Sequence, residues 1–237
     1  VSRVYMDTLD QYDARNFELM GFSFSFELDV VAILKTFETY GIPFYSTDRT
    51  MDHPLIFAGG PVPMSNPEPF ADFFDFFLIG EGEEAMAELT DTVKKYRGMT
   101  NREELLRKLA AEVPGVYVPS LYHVEYESSD GPISSMTPKY ADVPELVEKR
   151  LTANMDNFVA ASPIISDKAI FANKFLIEVM RGCAHRCRFC LASYSMLPAR
   201  GPSAQPIIES LQQGLQHPHK VGLLGALISN HPRFDEI

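Results

Sequence analysis

The stretch FELMGFSFSFELDVVAILKTFETYG, Phe17 to Gly41, changes its hydrophobic period partway along. Over FELMGFSFSF, Phe22, Phe24 and Phe26 alternate with Ser23 and Ser25, the period of two expected of a β-strand. From Glu27 to Tyr40 the apolar residues Val30, Ile33, Leu34 and Phe37 stand three or four apart, which places them on one stripe of a helix. Gly41 follows, a residue able to take the left-handed conformation that ends a helix. The segment therefore reads as strand, then helix.

Working outward, the pattern repeats. Pro54 to Ala58 (PLIFA) is a short apolar run stopped by Gly59, Gly60 and Pro61, and Phe73 to Ile79 is a second run stopped by GEGEE. Continuous apolar runs fit strands buried on both faces. After Gly80 to Glu84 a helix is expected with Met86, Leu89 and Val93 on one face and Asp91 placed four residues before Lys95 to support it. Alternating strand and helix predict an α/β fold, a Rossmann-like open parallel sheet, over residues 1–110.

Residues 111–170 read as a connector with a short hairpin near YVPSLYHVEY, because Pro114, Pro119, Pro132, Pro138, Pro144 and Pro163 interrupt any long element. A new strand is expected over Phe175 to Val179 (FLIEV), a helix over Pro206 to Leu215 and a strand over Val221 to Ile228. Residues 171–237 thus have room for two strand-and-helix units at most, each taking about 30 residues.

The bulk composition sets limits on function. With 46% hydrophobic residues over 237 positions, the chain has the makeup of an ordinary globular protein with two modest cores. A net charge of -11, from 21 basic and 32 acidic residues, disfavours a nucleic-acid or anionic-membrane surface, which needs clustered Lys and Arg. No apolar run reaches the roughly 18 residues of a membrane span, and VSRVYMDTLDQYDAR lacks the apolar core of a secretory signal. A cytoplasmic protein is expected.

All three cysteines fall within one eight-residue stretch, in MRGCAHRCRFCLAS. An odd number so closely spaced makes no disulfide framework, and a reducing compartment is expected. Cys183, Cys187 and Cys190 follow the CxxxCxxC spacing directly after the strand FLIEV, on a loop where three thiolates can converge on a cubane cluster. Three ligands leave one iron open, and the chain has no fourth cysteine to close it. Zinc held by the three cysteines with His185 or another histidine is the competing reading, although zinc loops usually pair cysteines as CxxC and His185 lies between the ligands. Arg181, Arg186, Arg188 and Arg200 surround the motif with no acid between residues 181 and 200, and positive potential lowers thiol pKa values. They read equally well as solvated loop arginines.

At this motif the sequence resembles the radical S-adenosylmethionine (SAM) superfamily, whose CxxxCxxC signature carries an aromatic residue before the last cysteine, here Phe189. The resemblance implies a four-iron, four-sulfur cluster on Cys183, Cys187 and Cys190, with SAM chelated at the open iron and Phe189 against its adenine. It implies reductive cleavage of SAM to a deoxyadenosyl radical, an electron donor such as flavodoxin or ferredoxin, and a partial (β/α) barrel beginning at residue 171. The family often holds the methionine amino group with Gly-Gly-Glu after the second strand; this chain has LISNHPR, so Ser229 and Asn230 are the candidates for that role. The shortness of the barrel region predicts a fragment of a longer enzyme.

Residues Phe17 to Arg97, including GFSFSFELD and GGPVPMSNPEPFADFFDFFLIGEGEE, resemble the cobalamin-binding-like domains that precede the barrel in many radical SAM enzymes. Ser25, Gly59 and Gly60 stand where that resemblance puts cobalamin contacts, and cobalamin would imply methyl transfer. The DxHxxG element that supplies the cobalt-ligating histidine does not occur. The same residues also read without a cofactor, the glycines as a tight turn and Glu81, Glu83 and Glu84 as favourable charges at a helix start. Sulfur insertion or rearrangement fits if cobalamin is not bound. The alternative to an enzyme is a scaffold in which a cluster or zinc ion merely ties the loop.

Overall fold

A computed structural model describes residues 16–162, 164–216 and 220–237. They form two compact units that meet in sequence between Leu151 and Thr152.

The first unit is built on a sheet of order β1-β2-β3-β4, comprising β1 (Leu19–Ser23), β2 (Leu55–Gly59), β3 (Phe76–Leu78) and β4 (Val116–Tyr117). The first three strands are parallel, with Gly21 opposite Phe57 and Phe57 opposite Phe76. β4 runs antiparallel to β3, so the sheet is mixed where an all-parallel one was expected. The reason lies in the connection. Two consecutive helices, α3 (Gly82–Lys95) and α4 (Arg102–Glu112), pack on each other and bring the chain back beside β3 in the opposite sense.

The expected helix after β1 is α1 (Asp29–Tyr40), with Ile33 and Phe37 buried and Gly41 in the left-handed conformation, its N–H on the Glu38 carbonyl. Between β2 and β3 lie the short α2 (Pro61–Ser65) and a 3-10 turn, Glu68–Phe73. The period-two reading of β1 fails at Phe26. The strand ends at Ser23 and the chain turns into α1, with the Phe26 N–H on the Asp29 carboxylate, so Phe26 is exposed while Phe24 is fully buried. The expected Asp91–Lys95 pair does not form either. Asp91 meets Lys94 at 3.6 Å, and Lys95 reaches across to Glu112 of α4 at 2.7 Å, a tertiary partner invisible to i,i+4 spacing.

Residues 111–151, expected within a connector, pack with the first unit. Val116, Val118, Leu121, Tyr122 and Val143 join the same core as the sheet, and the hairpin β5 (Tyr122–Tyr126) and β6 (Ile133–Pro138) follows directly. Arg150 is held at the end of β3: its N–H donates to the Ile79 carbonyl at 2.8 Å, and its carbonyl accepts the Glu81 N–H at 3.0 Å. Its guanidinium reaches Glu84 and Glu88 of α3. The unit therefore ends at Leu151 and not near residue 110.

One buried polar cluster organises this core. Asp75, one residue before β3, accepts the Ile56 N–H at 2.7 Å, Arg49 Nη1 at 3.1 Å, and Arg102 through Nη2 at 2.9 Å and Nε at 3.0 Å. Arg49 spends its remaining donors on the carbonyls of Pro43, Phe44 and Phe73, and Arg102 on those of Thr50, His53 and Pro54. Burial pulls the Arg49 guanidinium below its ordinary pKa, and the Asp75 carboxylate acts in the opposite direction.

The second unit contains one β–α–β unit. β7 (Phe175–Glu178) pairs in parallel with β8 (Val221–Leu224), Phe175 opposite Val221, and α5 (Ala192–Ser195) and α6 (Ala204–Gly214) lie between them in sequence. Its core is small: Phe175, Ile177, Val179 and Ile207. The Asp156 carboxylate accepts the N–H of Ser203, the residue before α6, at 2.6 Å, and its hydroxyl at 2.8 Å. The strand expected to reach Ile228 stops at Leu224, because Gly225 packs against the Met180 backbone and the chain turns into a 3-10 segment, Ile228–Asn230. No further strand of the expected barrel is present among the described residues. Nor, among them, is any helix long and apolar enough to cross a membrane.

Asp75→Ala should leave two buried guanidinium groups without their counter-charge. Breaking a buried pair from one side costs about 3–5 kcal/mol, so the urea midpoint followed by circular dichroism should fall steeply. Lys35→Ala, at an exposed pair, should leave it in place.

Candidate metal centre

β7 runs straight into the cysteine loop. Its last residues pass through Arg181 and Gly182 to Cys183, and the loop is closed at its base by two backbone hydrogen bonds. The Arg181 N–H donates to the Arg200 carbonyl at 2.7 Å, and the Arg200 N–H returns to Arg181 at 2.9 Å. Gly182 sits at φ 76°, and a Cβ there would stand 2.3 Å from the Met196 carbonyl oxygen. Only glycine lets the strand turn into the loop this tightly.

Within that closed base, Cys183 and Cys190 are half-buried and Cys187 is exposed; all three are free thiols. The Cys190 N–H donates to the Cys187 carbonyl at 3.0 Å, which makes a turn between the second and third cysteines. Arg186 takes a left-handed conformation, and its carbonyl accepts the Tyr194 hydroxyl at 3.0 Å, tying the loop to α5. Ser193 on α5 is buried. Hydrogen bonding from its side chain is the largest influence lowering the Cys190 pKa, followed by the Ser193 and Ala192 N–H groups, and burial opposes them. This residue was missed in the sequence, where a serine three places after the last cysteine carries no signal of its own.

The arginines separate into two kinds. Arg181 is buried and bidentate on Glu178, with Nε–Oε1 at 3.1 Å and Nη2–Oε2 at 2.6 Å, so a strand carboxylate just outside the motif offsets that charge. Arg186 and Arg188 are exposed, and Arg200 donates to the Pro198 carbonyl. The local potential is therefore weaker than the four arginines alone imply.

Phe189 is 91% exposed at the tip of the loop. Ser229 and Asn230 are exposed in the 3-10 turn after β8. Since β7 and β8 are parallel neighbours, the cysteine loop and this turn both leave from the C-terminal ends of adjacent strands, the usual position of a ligand in such sheets. His231 holds the turn: its ring accepts the Arg233 N–H at Nδ1 and its Nε2 lies 2.8 Å from the Pro202 carbonyl oxygen.

Three thiols on one pinned loop, none in a disulfide and one biased toward thiolate, match the donor set of a three-cysteine iron site. Among the described residues no three His, Cys, Asp or Glu side chains form a group that would hold a single metal ion, so the zinc site with His185 is not preformed. Ser25, Gly59 and Gly60 lie in the other unit, at the C-terminal edge of the first sheet. There the space beside Gly60 is filled by the Phe24 backbone.

Ser193→Ala should raise the Cys190 pKa by removing its leading stabiliser. With Cys183 and Cys187 changed to serine, the rate of Cys190 alkylation by iodoacetamide should shift to higher pH; an unchanged pH profile would contradict the assignment.

Residues 4–119 match the family described as radical SAM proteins, N-terminal. The chain is also 27% identical over 234 residues to an uncharacterized protein of Methanocaldococcus jannaschii, an alignment that covers 97% of this chain and 43% of the relative. The chain thus spans less than half the length of that relative. Over residues 4–119, just under half of its length, the chain is therefore similar to the N-terminal domain of radical SAM proteins.

Proposed function

We propose that this chain is part of a radical SAM enzyme whose four-iron, four-sulfur cluster is held by Cys183, Cys187 and Cys190. The observation that carries the reading is the CxxxCxxC loop at the C-terminal end of a parallel strand, closed at its base, in a chain whose residues 4–119 are similar to the N-terminal domain of radical SAM proteins. When bound, the cluster would supply the single electron needed for reductive cleavage of SAM.

The chain's own residues prepare and orient. The Arg181–Arg200 bridge and Gly182 fix where the loop starts and ends, and Cys187 is exposed between two half-buried cysteines. Ser193 favours the ligating thiolate at Cys190. Phe189 presents an aromatic face for adenine, and Ser229 and Asn230 offer polar groups from the adjacent strand end for the methionine moiety. Free thiols without disulfides suit a reducing cytoplasm, and an electron donor of the flavodoxin or ferredoxin type would complete the cycle.

Anaerobic reconstitution with iron and sulfide, followed by metal analysis and electron paramagnetic resonance, tests the reading. About four iron and four sulfide per chain are expected, with a dithionite-reduced signal that changes when SAM is added. Cys187→Ala should lose the cluster while the circular dichroism of the fold stays intact. One zinc and no iron per chain would favour the scaffold reading instead.

A further inference from the structure

A crevice for a cofactor at the C-terminal edge of a parallel sheet needs open space, and glycines there serve to let a ligand approach the backbone. In the first unit that space is taken by the chain itself. Phe24, the residue after β1, donates its N–H to the Gly59 carbonyl at 2.7 Å and accepts the Val62 N–H at 3.1 Å. Gly60 sits at φ 108°, and a Cβ on it would stand 3.0 Å from the Phe24 carbonyl oxygen and 3.4 Å from the Phe24 nitrogen. A Cβ on Gly59 would make only ordinary contact with Leu78. The close approach that requires glycine at position 60 is thus an internal one.

The side chain completes the closure. The Phe24 ring is fully buried, edge-on to Phe70 at 4.7 Å and 6.1 Å from Phe74, so it belongs to the aromatic core and does not line an opening. Opening this place to a ligand would cost two backbone hydrogen bonds and the burial of a whole phenyl ring.

Resting on the radical SAM reading above, we infer that Phe24 is a built-in plug. The N-terminal domain serves as a closed scaffold, and the enzyme's radical acts on substrate without cobalamin-mediated methyl transfer.

The test incubates the 237-residue chain with hydroxocobalamin, and separately with methylcobalamin, before gel filtration, cobalt analysis and an absorption spectrum. No cobalt should elute with the protein. Stoichiometric cobalt with a protein-altered spectrum overturns the plug. In parallel, Phe24→Ala should lower the urea midpoint of the chain markedly; a midpoint equal to that of the parent also overturns it, because the ring would then not be filling the site. Iron and sulfide content of the same preparation reports on the cysteine loop in the other unit, so failure of the cluster reading and failure of the plug give different results.

Discussion

The first unit depends on a single carboxylate kept out of water. Asp75 sits among Phe74, Phe76 and Phe77, where an unpaired charge could not persist, and its two oxygens receive a backbone N–H and three guanidinium donors. The Ile56 N–H ties it to β2, while its own N–H bonds the Ile56 carbonyl, so the register of β2 against β3 is set at this point. Arg49 and Arg102 then draw in the carbonyls between Pro43 and Pro54, and Arg49 also lies over the Phe37 ring of α1 at 5.1 Å. A loop with only one 3-10 turn, Ser46–Asp48, is thereby fixed around one charge. Once β2 is placed, its far end delivers Gly59 and Gly60 beneath Phe24.

The second unit solves a different problem with fewer means. Its core is four buried residues, and the cysteine loop it carries has almost no apolar anchor. Order comes from the loop's base, through paired backbone groups at Arg181 and Arg200 and a glycine with no room for a side chain. Between those fixed ends all three cysteines are free thiols, Cys187 exposed and its two partners half-buried.

Glycine pairs at strand ends illustrate how one sequence feature can serve two ends. Gly59-Gly60 has the look of a cofactor turn, yet the atoms that crowd Gly60 are those of Phe24. The four arginines near the cysteines are similar. In sequence they make a positive patch, but Arg181 is committed to Glu178, three residues upstream and on the strand. In both cases the residue that decides the matter lies just outside the motif being read.

The sequence by itself determined the elements and the donor set: β1 then α1 from the switch of period at Phe26, β2 and β3 from unbroken apolar runs, β7 before the cysteines, and CxxxCxxC as a three-thiol loop. These follow from spacing along the chain, which side-chain periodicity records directly. Only the tertiary structure decided that β4 joins antiparallel, that residues 111–151 belong to the first unit, that Lys95 pairs with Glu112, and that Phe24 fills the crevice beside Gly60. Each of these depends on groups far apart in sequence meeting in a packed interior, where the outcome is set by which surfaces can be buried together and which polar groups can be satisfied.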